Sequence, residues 1–261
     1  MRLEDKSIIV TGSTTGIGKA IARRCVAEGA SVLVHGRDAQ RGAELVAELG
    51  RRAALHVDDL ADVGAATRLV NAAIDAFGRI DGIVNNAAYI KRSDIHSTDA
   101  TLFDQIMAVN CRAPFLIVKA ALPHLEKSQG CVINIGSVNA YVGEAMLLAY
   151  AVSKGALATL SRNLGDWLHR SHGVRVNHFN VGWTLTENEY EYKIADGLPA
   201  DWPDRVSKDI LPTGKLMRPE TIAAAAVYWL SDESRPISGQ VIELEQFPVA
   251  GHIPTVQMLV Q

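Results

Sequence analysis

Hydrophobic residues along the chain form short runs that alternate with longer amphipathic stretches. Runs rich in Val, Ile and Leu predict seven strands, at Ser7–Val10, Ser31–His35, Ala53–Val57, Gly82–Asn85, Cys131–Ile135, Val174–Asn180 and Gln240–Leu244. Helical spacing of apolar positions predicts helices at Gly16–Glu28, Ala39–Leu49, Val63–Phe77, Thr101–Val109, Ala113–Glu126, Ala149–His169 and Pro219–Leu230. This alternation is typical of an α/β fold with a parallel sheet and right-handed crossovers. Ligands of such sheets bind beyond the carboxyl ends of the strands.

Composition supports one buried sheet. The 261-residue chain is 48% hydrophobic and only 6% aromatic, which suits aliphatic strands covered by helices. No linker or internal repeat divides the sequence, so we expect one domain over residues 1–261. A net charge of −3 gives no general attraction to nucleic acid or to an anionic membrane.

The cysteines and the N-terminal residues indicate the cellular compartment of the protein. Cys25, Cys111 and Cys131 lie far apart and form no CxxC pair, so we expect neither a disulfide framework nor a metal site. The segment Met1–Lys6 carries no apolar signal core, and by sequence we expect no apolar run to reach membrane-spanning length. We therefore expect a cytoplasmic protein without a membrane partner.

A glycine-rich turn follows the first predicted strand. Thr11–Gly18 reads TGSTTGIG and leads directly into a helix. Glycine adopts positive φ and lets a phosphate approach the backbone, while a helix start offers free N–H groups. The turn is therefore a candidate pyrophosphate site. A P-loop would need glycine at Ser13 and a hydroxyl side chain at Ala20, so triphosphate hydrolysis is rejected.

The end of the second strand bears on the choice of dinucleotide. An acidic residue there would bind the ribose diol of NAD, but this chain has Gly36 followed by Arg37. A guanidinium group holds a 2′-phosphate with paired hydrogen bonds, although Arg37 would look the same as a solvated turn residue. Asp38 is better placed to cap the following helix. We favour NADP over NAD.

Three residues together predict proton transfer. Tyr150 and Lys154 lie four residues apart on a predicted helix and share one face. A free phenol has a pKa of about 10, and a nearby ammonium group is expected to lower it. Ser137 follows a strand, where its hydroxyl would hold a substrate oxygen. The set suits alcohol–ketone chemistry. A hydrolase elbow at Ala151–Gly155 lacks the first glycine and lies inside a helix.

These motifs resemble those of the short-chain dehydrogenase/reductase family, over nearly the whole chain to about Gly239. Thr11–Gly18 is similar to the family's TGxxxGxG loop, and Asn85–Ala88 to its NNAG motif with Ala88 in place of glycine. The further matches are the catalytic serine and YxxxK residues, a family asparagine and the Asp–hydrophobic pair that brackets adenine: Ser137, Tyr150, Lys154, Asn110, Asp59 and Leu60.

The resemblance implies a single-domain Rossmann-type doubly wound sheet of about seven parallel strands, with helices on both faces, and direct hydride transfer with NAD(P). It implies a catalytic set of Asn110, Ser137, Tyr150 and Lys154, in which Lys154 also holds the nicotinamide ribose and Asn110 helps a water chain supply protons. The expected cofactor contacts are Gly12, Ser13, Thr15, Gly16, Ile17, Gly18, Arg37, Asp59, Leu60, Asn86, Ala87, Ala88, Tyr150, Lys154, Gly182, Thr184 and Thr186.

Two segments depart from the family pattern. Val181 replaces the proline of the family's PG motif, so the loop on the nicotinamide side lacks that rigid turn. The usual Val-Asp-Gly-Gly near the C-terminus is replaced by Leu244–Phe247. The tail Pro248–Gln261, which ends with apolar residues, has no function that the resemblance supplies.

The substrate side is the least regular part of the pattern. Residues 187–215, and Glu187–Leu211 in particular, combine acidic, amide and aromatic side chains after the last cofactor motif, which predicts a lid. A solvated acidic helix would look the same. Asn139, Tyr141 and Glu144 lie between Ser137 and Tyr150 and are candidate pocket residues. Such groups suit a sugar or polyol.

Three functions compete at this stage. The favoured one is an NAD(P)-dependent oxidoreductase that acts on a ketone or secondary alcohol. Reduction of a carrier-bound β-ketoacyl group is a second, which the acidic lid disfavours. A catalytically idle dinucleotide-binding protein is a third, disfavoured because all four catalytic residue types are present. An extended epimerase or dehydratase would need a longer C-terminal domain.

The same sequence predicts a homotetramer. The helices Ala113–Glu126 and Ala149–His169 carry more apolar residues than one buried face requires: Phe115, Leu116, Ile117, Val118, Leu157, Leu160 and Leu164. Members of the resembled family commonly pair these helices across two-fold axes. The apolar tail residues Val256, Met258, Leu259 and Val260 would add a second contact, and two different two-fold interfaces generate a tetramer.

Overall fold

The computed structural model describes residues 1–250 and contains one seven-stranded parallel sheet. Its strands are β1 (Ser7–Val10), β2 (Ser31–Gly36), β3 (Ala53–Val57), β4 (Gly82–Asn85), β5 (Cys131–Ile135), β6 (Arg175–Val181) and β7 (Val241–Leu244). They lie in the order β3-β2-β1-β4-β5-β6-β7, and each neighbouring pair is parallel. The predicted doubly wound α/β sheet is confirmed.

Eight α-helices connect these strands within the described residues. They are α1 (Gly16–Ala27), α2 (Ala39–Leu49), α3 (Ala65–Phe77), α4 (Ala100–Met107), α5 (Ala113–Ser128), α6 (Leu148–His172), α7 (Glu187–Ala195) and α8 (Pro219–Leu230). The segment Ala108–Arg112 forms a π-helical turn between α4 and α5. Most bounds differ from the predicted ones by three residues or fewer, because strand and helix periodicities are local properties of the sequence.

Alternate strand residues supply two hydrophobic cores. Ile8 and Val10 of β1 pack on one face of the sheet with α1, α2 and α8, whereas Ile9 packs on the other face with α3 and α5. Successive strand side chains point to opposite faces, so a strand buried on both sides reads as a continuous apolar run. This explains why the strands carry no polar alternation.

The run Ala100–Ser128 corrects one expectation. It comprises α4, the π-helical turn and α5, and it is long and apolar enough to cross a membrane by length and composition. Nearly half of its most apolar window, 44%, is buried inside the protein. Ile117 and Leu125 on its inner face belong to the core beside α3. Core packing therefore accounts for much of its hydrophobicity.

The segment between Thr186 and Pro219 is more regular than its pattern indicated. Helix α7 occupies the acidic stretch at its start, and Thr186 caps this helix by accepting a hydrogen bond from Glu189 N at 3.1 Å. The alternative of an acidic helix is therefore the correct local description. The predicted tail contacts at Val256–Val260 lie outside the described residues.

Candidate active site

The candidate site lies where the strand order reverses. β1 pairs with β2 on one side and with β4 on the other, so the chain leaves β1 and β4 in opposite directions. This divergence opens a crevice at the carboxyl ends of the strands. The glycine turn follows β1, and Asn86 and Ala87 follow β4, so the fold brings these two predicted motifs together.

Steric contacts require glycine in the turn. Gly12 has a φ of +62°, and a Cβ there would approach Ala87 Cα to 2.8 Å. Gly16 has a φ of +54° at the start of α1. A Cβ on Gly18 would collide with Gly12 O and with Asn86 Nδ2. The turn therefore leaves backbone exposed beside the free N–H groups of a helix start, which fits the pyrophosphate of a dinucleotide.

Asn86 and Thr11 join the two motifs from within. Asn86 Nδ2 donates to Thr11 O at 2.9 Å and to Gly12 O at 3.0 Å. Thr11 Oγ1 accepts from the N–H groups of Asn86 and Ala87, both at 3.0 Å. Asn86 thus braces the turn, a role that its place in a cofactor motif did not reveal. Ala88 is exposed at the rim of the crevice.

Ser13 and His35 fix the other side of the turn. Ser13 Oγ donates to Val10 O at 2.8 Å and accepts from His35 N at 3.0 Å. His35 Nδ1 accepts from Gly12 N at 3.3 Å. Burial lowers the pKa of His35 to about 4, with a smaller effect from His56, so its ring is neutral at neutral pH. Sequence reasoning missed His35, although a histidine inside a buried strand was a signal.

The adenosine end of the crevice holds the residues that would read the ribose. Arg37 is 67% exposed in its side chain and lies 4.0 Å from Asp59 Oδ2. Asp38 Oδ1 accepts from Arg41 N at 3.0 Å and therefore caps α2, as predicted. The Leu60 side chain is buried in the core near α3, so only its backbone is placed to meet an adenine.

Tyr150 and Lys154 lie one turn apart on α6, with Lys154 Nζ 5.5 Å from the phenol ring centroid. Both side chains are buried, and Ser137 is buried at the end of β5. Lys154 Nζ donates to Ile135 O at 2.8 Å, which ties the helix to the strand that carries Ser137. The structure therefore brings together the three residues predicted to transfer a proton.

The pKa values correct one expectation. Burial raises the pKa of Tyr150 to about 12, the hydrogen bond with Ser137 lowers it, and the charges of Glu189 and Glu144 raise it further. Burial lowers the pKa of Lys154 to about 8. The expectation that the ammonium group of Lys154 lowers the pKa of Tyr150 was therefore wrong for the free protein, where desolvation of the phenolate is the largest effect.

Asn110 lies in the π-helical turn before α5 and is 1% exposed. Its Oδ1 accepts from Tyr89 N at 2.7 Å, and its Nδ2 donates to Tyr89 O at 3.1 Å and to Ser153 Oγ at 3.0 Å. Ser153 Oγ in turn donates to Tyr150 O at 2.7 Å. Asn110 thus joins the loop after β4 to the helix that carries Tyr150. Its side chain is fully engaged in this positioning.

The loop between Ser137 and Tyr150 carries a short hydrogen-bonded chain. Ser137 Oγ donates to Asn139 Oδ1 at 3.0 Å, and Asn139 Nδ2 donates to Glu144 Oε2 at 2.7 Å. Tyr141 is 40% exposed at the surface. The structure therefore links two of the three predicted pocket residues to Ser137.

A buried polar row, which the sequence analysis missed, underlies Ser137. Asn134 Nδ2 donates to Ser161 Oγ at 2.8 Å, and Ser161 Oγ contacts His178 Nδ1 at 3.0 Å. His178 Nε2 contacts Asn180 Oδ1 at 2.9 Å, and a Cβ on Gly136 would collide with this ring. Burial lowers the pKa of His178 to about 4. A neutral imidazole therefore supports the backbone just before Ser137.

The loop after β6 is shaped by a residue distant in sequence. Glu245 Oε2 accepts from Trp183 N at 3.1 Å and lies so close over Gly182 that no Cβ would fit. Val181, in the place of the family's proline, pairs with Leu244 and lets β6 continue to the loop. Thr184 Oγ1 donates to Gly182 O at 3.0 Å.

Residues 183–216 build a small core of their own. Trp202, Leu211 and Leu216 are buried together, and Trp183 and Tyr190 pack against them. The Trp183 and Trp202 rings stack with centroids 5.7 Å apart. Trp183 Nε1 also donates to Glu189 Oε1 at 2.8 Å, which orients α7.

Comparison with known proteins agrees with this geometry. Residues 12–246 match the family model described as enoyl-(acyl carrier protein) reductase. The chain belongs to the short-chain dehydrogenase/reductase family. The resemblance drawn from the glycine turn and the YxxxK pair is thereby confirmed.

Similar proteins of this family are oxidoreductases. The chain is 34% identical over 251 residues to 2-(S)-hydroxypropyl-CoM dehydrogenase 3 of Xanthobacter autotrophicus, covering 94% of this chain and 96% of that protein. It is 34% identical over 234 residues to L-fucose dehydrogenase of Mus musculus, covering 88% and 84%. It is 30% identical over 248 residues to meso-2,3-butanediol dehydrogenase of Serratia marcescens, covering 94% and 95%.

A solved structure shares the architecture. A 3-ketoacyl-(acyl-carrier-protein) reductase from Brucella melitensis, complexed with NADH, superposes with a TM-score of 0.82 at 25% identity. The match covers 93% of this chain and 97% of that one. This family member is accordingly an oxidoreductase, and NAD(P)-dependent interconversion of an alcohol and a ketone fits its site.

Proposed function

We propose that the protein interconverts a sugar or polyol and its ketone, with NADP(H) preferred over NAD(H). The observation that carries the substrate class is the pair of carboxylates around Tyr150. Glu144 comes from the loop before α6 and Glu189 from α7, and both act on the pKa of the buried phenol. Carboxylates accept hydrogen bonds from hydroxyl groups, so Glu144 and Glu189 are candidate partners for the hydroxyl groups of a polyhydroxylated substrate.

The chain's own residues supply positioning and proton transfer. A bound nicotinamide cofactor supplies the site of hydride exchange. Ser137 holds the substrate oxygen, and Tyr150 gives a proton to it in reduction or takes one from it in oxidation. Lys154 would hold the ribose of a bound nicotinamide cofactor and would support proton exchange at Tyr150. Asn110, whose side chain joins the loop after β4 to α6, would help a water chain supply protons.

The protonated state of Tyr150 favours reduction of the ketone at neutral pH. With a pKa near 12 in the free protein, Tyr150 keeps its proton and is ready to donate it. Oxidation requires the phenol to accept a proton, so its rate should rise with pH, whereas reduction should fall in the alkaline range. Rate measurements in both directions across pH would test this opposite dependence.

The preference for NADP rests on Arg37. Its guanidinium group is exposed at the end of β2, next to Gly36, where a diol-binding acid would stand. Asp59 lies 4.0 Å away, at the limit of an ion pair, so Arg37 remains free to turn toward a 2′-phosphate. NADH in the Brucella melitensis structure describes that protein's complex.

Reduction of a carrier-bound β-ketoacyl group is the second candidate. It is favoured by the likeness to the 3-ketoacyl-(acyl-carrier-protein) reductase. The carboxylates of Glu144 and Glu189 oppose it, because the phosphate-bearing arm of an acyl carrier would meet negative charge at the mouth. We therefore rank it below polyol chemistry.

A substrate screen separates these candidates. Purified protein is incubated with sugars, polyols, simple diols or a β-ketoacyl thioester, each with NADP(H) and with NAD(H), and cofactor absorbance is followed. We expect turnover with a polyol or its ketone and a higher kcat/KM with NADP(H). Turnover confined to the thioester would replace the proposal by the second candidate. Cofactor binding without any turnover would favour an idle dinucleotide-binding protein.

We also propose that residues 187–215 act as a lid within a single domain spanning residues 1–261. Support comes from their separate aromatic core and from the exposure of most of α7. Hydrogen exchange of Glu187–Leu211 should slow when cofactor and substrate bind together. Full protection in the free protein would make this segment a fixed wall.

A cytoplasmic homotetramer completes the proposal. Part of the apolar surface predicted on α5 and α6 is buried within one chain, at Ile117, Val118 and Leu157. The apolar area left for a partner is therefore smaller than the sequence indicated. Phe115 remains 41% exposed, and Leu116, Leu160 and Leu164 are half-buried. A remaining apolar surface of this kind supports helix pairing between copies. Light scattering after size-exclusion chromatography should give a tetramer mass, and a monomer at micromolar concentration would contradict it.

A further inference from the structure

Three consecutive residues cover the start of α1. Glu187 Oε2 accepts a hydrogen bond from the Gly16 N–H at 3.1 Å. The next residue, Asn188, donates from Nδ2 to Thr15 Oγ1 at 3.3 Å. The methyl group of Thr186 lies against Gly16 at the same place. The beginning of α7 is therefore fastened to the glycine turn by side chains.

The Gly16 N–H is one of the groups that a phosphate would use. Gly16 is the first residue of α1, so its N–H has no partner inside the helix. Helix starts attract anions through such N–H groups and through the helix dipole. Here the chain places its own carboxylate on that group. The contact spans 171 positions of sequence and arises only in the folded protein.

We infer that Glu187 is an internal substitute for a cofactor phosphate, which occupies the pyrophosphate site of the free protein and leaves it when the dinucleotide binds. The inference rests on the proposed cofactor site at Gly12–Gly18. A carboxylate and a pyrophosphate repel each other, so part of the binding free energy of the cofactor is used to displace Glu187.

Arg23, a cation of α1, is already engaged and offers this repulsion little compensation. Arg23 is the cation whose pKa responds to the charge of Glu187, and a hydrogen bond with Glu48 is the main cause of that raised pKa. Its guanidinium group binds both carboxylate oxygens of Glu48, at 2.7 and 2.6 Å. The guanidinium group of Arg23 is therefore held by Glu48 and not by Glu187.

The displacement also reaches the substrate side. Glu187 is the first residue of α7, and Glu189 in the same turn holds Trp183 Nε1 at 2.8 Å and acts on Tyr150. Release of Glu187 loosens the attachment of the first turn of α7 to the glycine turn, and this same turn carries one of the two carboxylates that act on the phenol.

Binding measurements test the inference. Dissociation constants of ADP-ribose, NADH and NADPH are measured by calorimetry for the wild type, Glu187→Gln, Glu187→Ala and the control Glu191→Gln. Glu191 is an exposed acid of the same helix. We expect both Glu187 variants to bind all three ligands about three- to tenfold more tightly, because each ligand carries the pyrophosphate. The control should bind like the wild type.

The outcomes distinguish this inference from the proposed function. Unchanged or weaker binding in both Glu187 variants, with normal wild-type binding, overturns the inference and leaves the cofactor site in place. Equal tightening in Glu191→Gln also overturns it, since the effect would then be one of net charge. A wild type that binds none of the three ligands overturns both. Thermal unfolding of each variant verifies that it is folded.

Discussion

The cofactor side and the substrate side of this protein are held together in different ways. On the cofactor side, Gly12 is locked between β1, β2 and β4 by contacts with Ala87 and His35. On the substrate side, Trp183 and Trp202 stack in a core that is separate from the two sheet cores. The first site is rigid because the sheet defines it, whereas the second depends on its own packing. The two regions meet where Glu187 of α7 accepts a hydrogen bond from Gly16 N.

The largest expected effect is on turnover, after substitution of Tyr150, which lies between the cofactor side and the substrate side. Tyr150→Phe keeps the ring but removes the transferable proton, so turnover should fall by roughly 10²–10⁴-fold while dinucleotide binding is retained. Steady-state rates and cofactor titration measure the two effects. Tyr141→Phe, at an exposed position of the preceding loop, is the matched control. Near-normal turnover of the Tyr150 variant would remove it from the catalytic set.

Trp202→Ala should sharpen the contrast between the two regions. Trp202 is 3% exposed at the centre of the separate core, and loss of a buried aromatic side chain costs about 3–5 kcal/mol. We expect faster hydrogen exchange in residues 183–216 and a lower kcat/KM. Ile210→Ala, 57% exposed in the same segment, should change neither. Equal loss across the whole sheet would show that the segment is not a separate unit.

Acidic pH should lower the stability of the folded protein through the buried histidines of the sheet. The pKa values of His35 and His178 fall from an ordinary 6.5 to about 4 in the folded protein. Between these values the unfolded chain binds more protons, so stability is complete above about pH 6.5 and is lost as pH falls toward 4. Each histidine accounts for at most about 3 kcal/mol.

Denaturant unfolding at several pH values measures this loss. His35→Asn and His178→Asn should each flatten the curve between pH 6.5 and 4, because asparagine does not titrate there. The exposed His96 provides a control variant, His96→Asn, which should leave the curve unchanged. A flat wild-type curve over this range would contradict the role assigned to the buried imidazoles.

Gly18→Ala should disturb the cofactor side alone. The added methyl group would collide with Gly12 O and Asn86 Nδ2, and overpacking of this kind costs about 1–3 kcal/mol. Weaker ADP-ribose binding and lower stability are expected, with unchanged exchange in residues 183–216. Gly143→Ala points a methyl group into open space and serves as the control. Full affinity in the Gly18 variant would show that the turn tolerates a side chain.

Arg37→Ala should have the smallest effect, and only on one cofactor. Loss of a charge-assisted hydrogen bond to an exposed 2′-phosphate should weaken NADPH by about 1.5 kcal/mol, roughly tenfold, and leave NADH nearly unchanged. Fluorescence titration of both cofactors measures the difference. Arg41→Ala, on the neighbouring surface of α2, is the control. Equal losses for both cofactors would make Arg37 an ordinary solvated residue.

The sequence by itself determined the sheet and the identity of the central motifs. Bounds such as Ala53–Val57, Gly82–Asn85 and Cys131–Ile135 were predicted as they occur, because apolar runs between turn residues are local signals. The glycine turn and the Tyr150–Lys154 spacing were equally legible, since each lies within one turn or one helix. The sequence pattern does not identify helix α7, because its acidic residues give it little apolar periodicity.

Only the tertiary structure decided the contacts between distant segments. The contacts of Glu187 with Gly16 and of Glu245 with the Gly182–Trp183 backbone join residues whose pairing has no local signature in the sequence. The pKa of Tyr150 belongs to the same class. Its spacing to Lys154 predicted a lowered value, but the burial of the phenol by the whole fold raises it. Periodicity is encoded locally, whereas desolvation and long-range pairing exist only after the chain has packed.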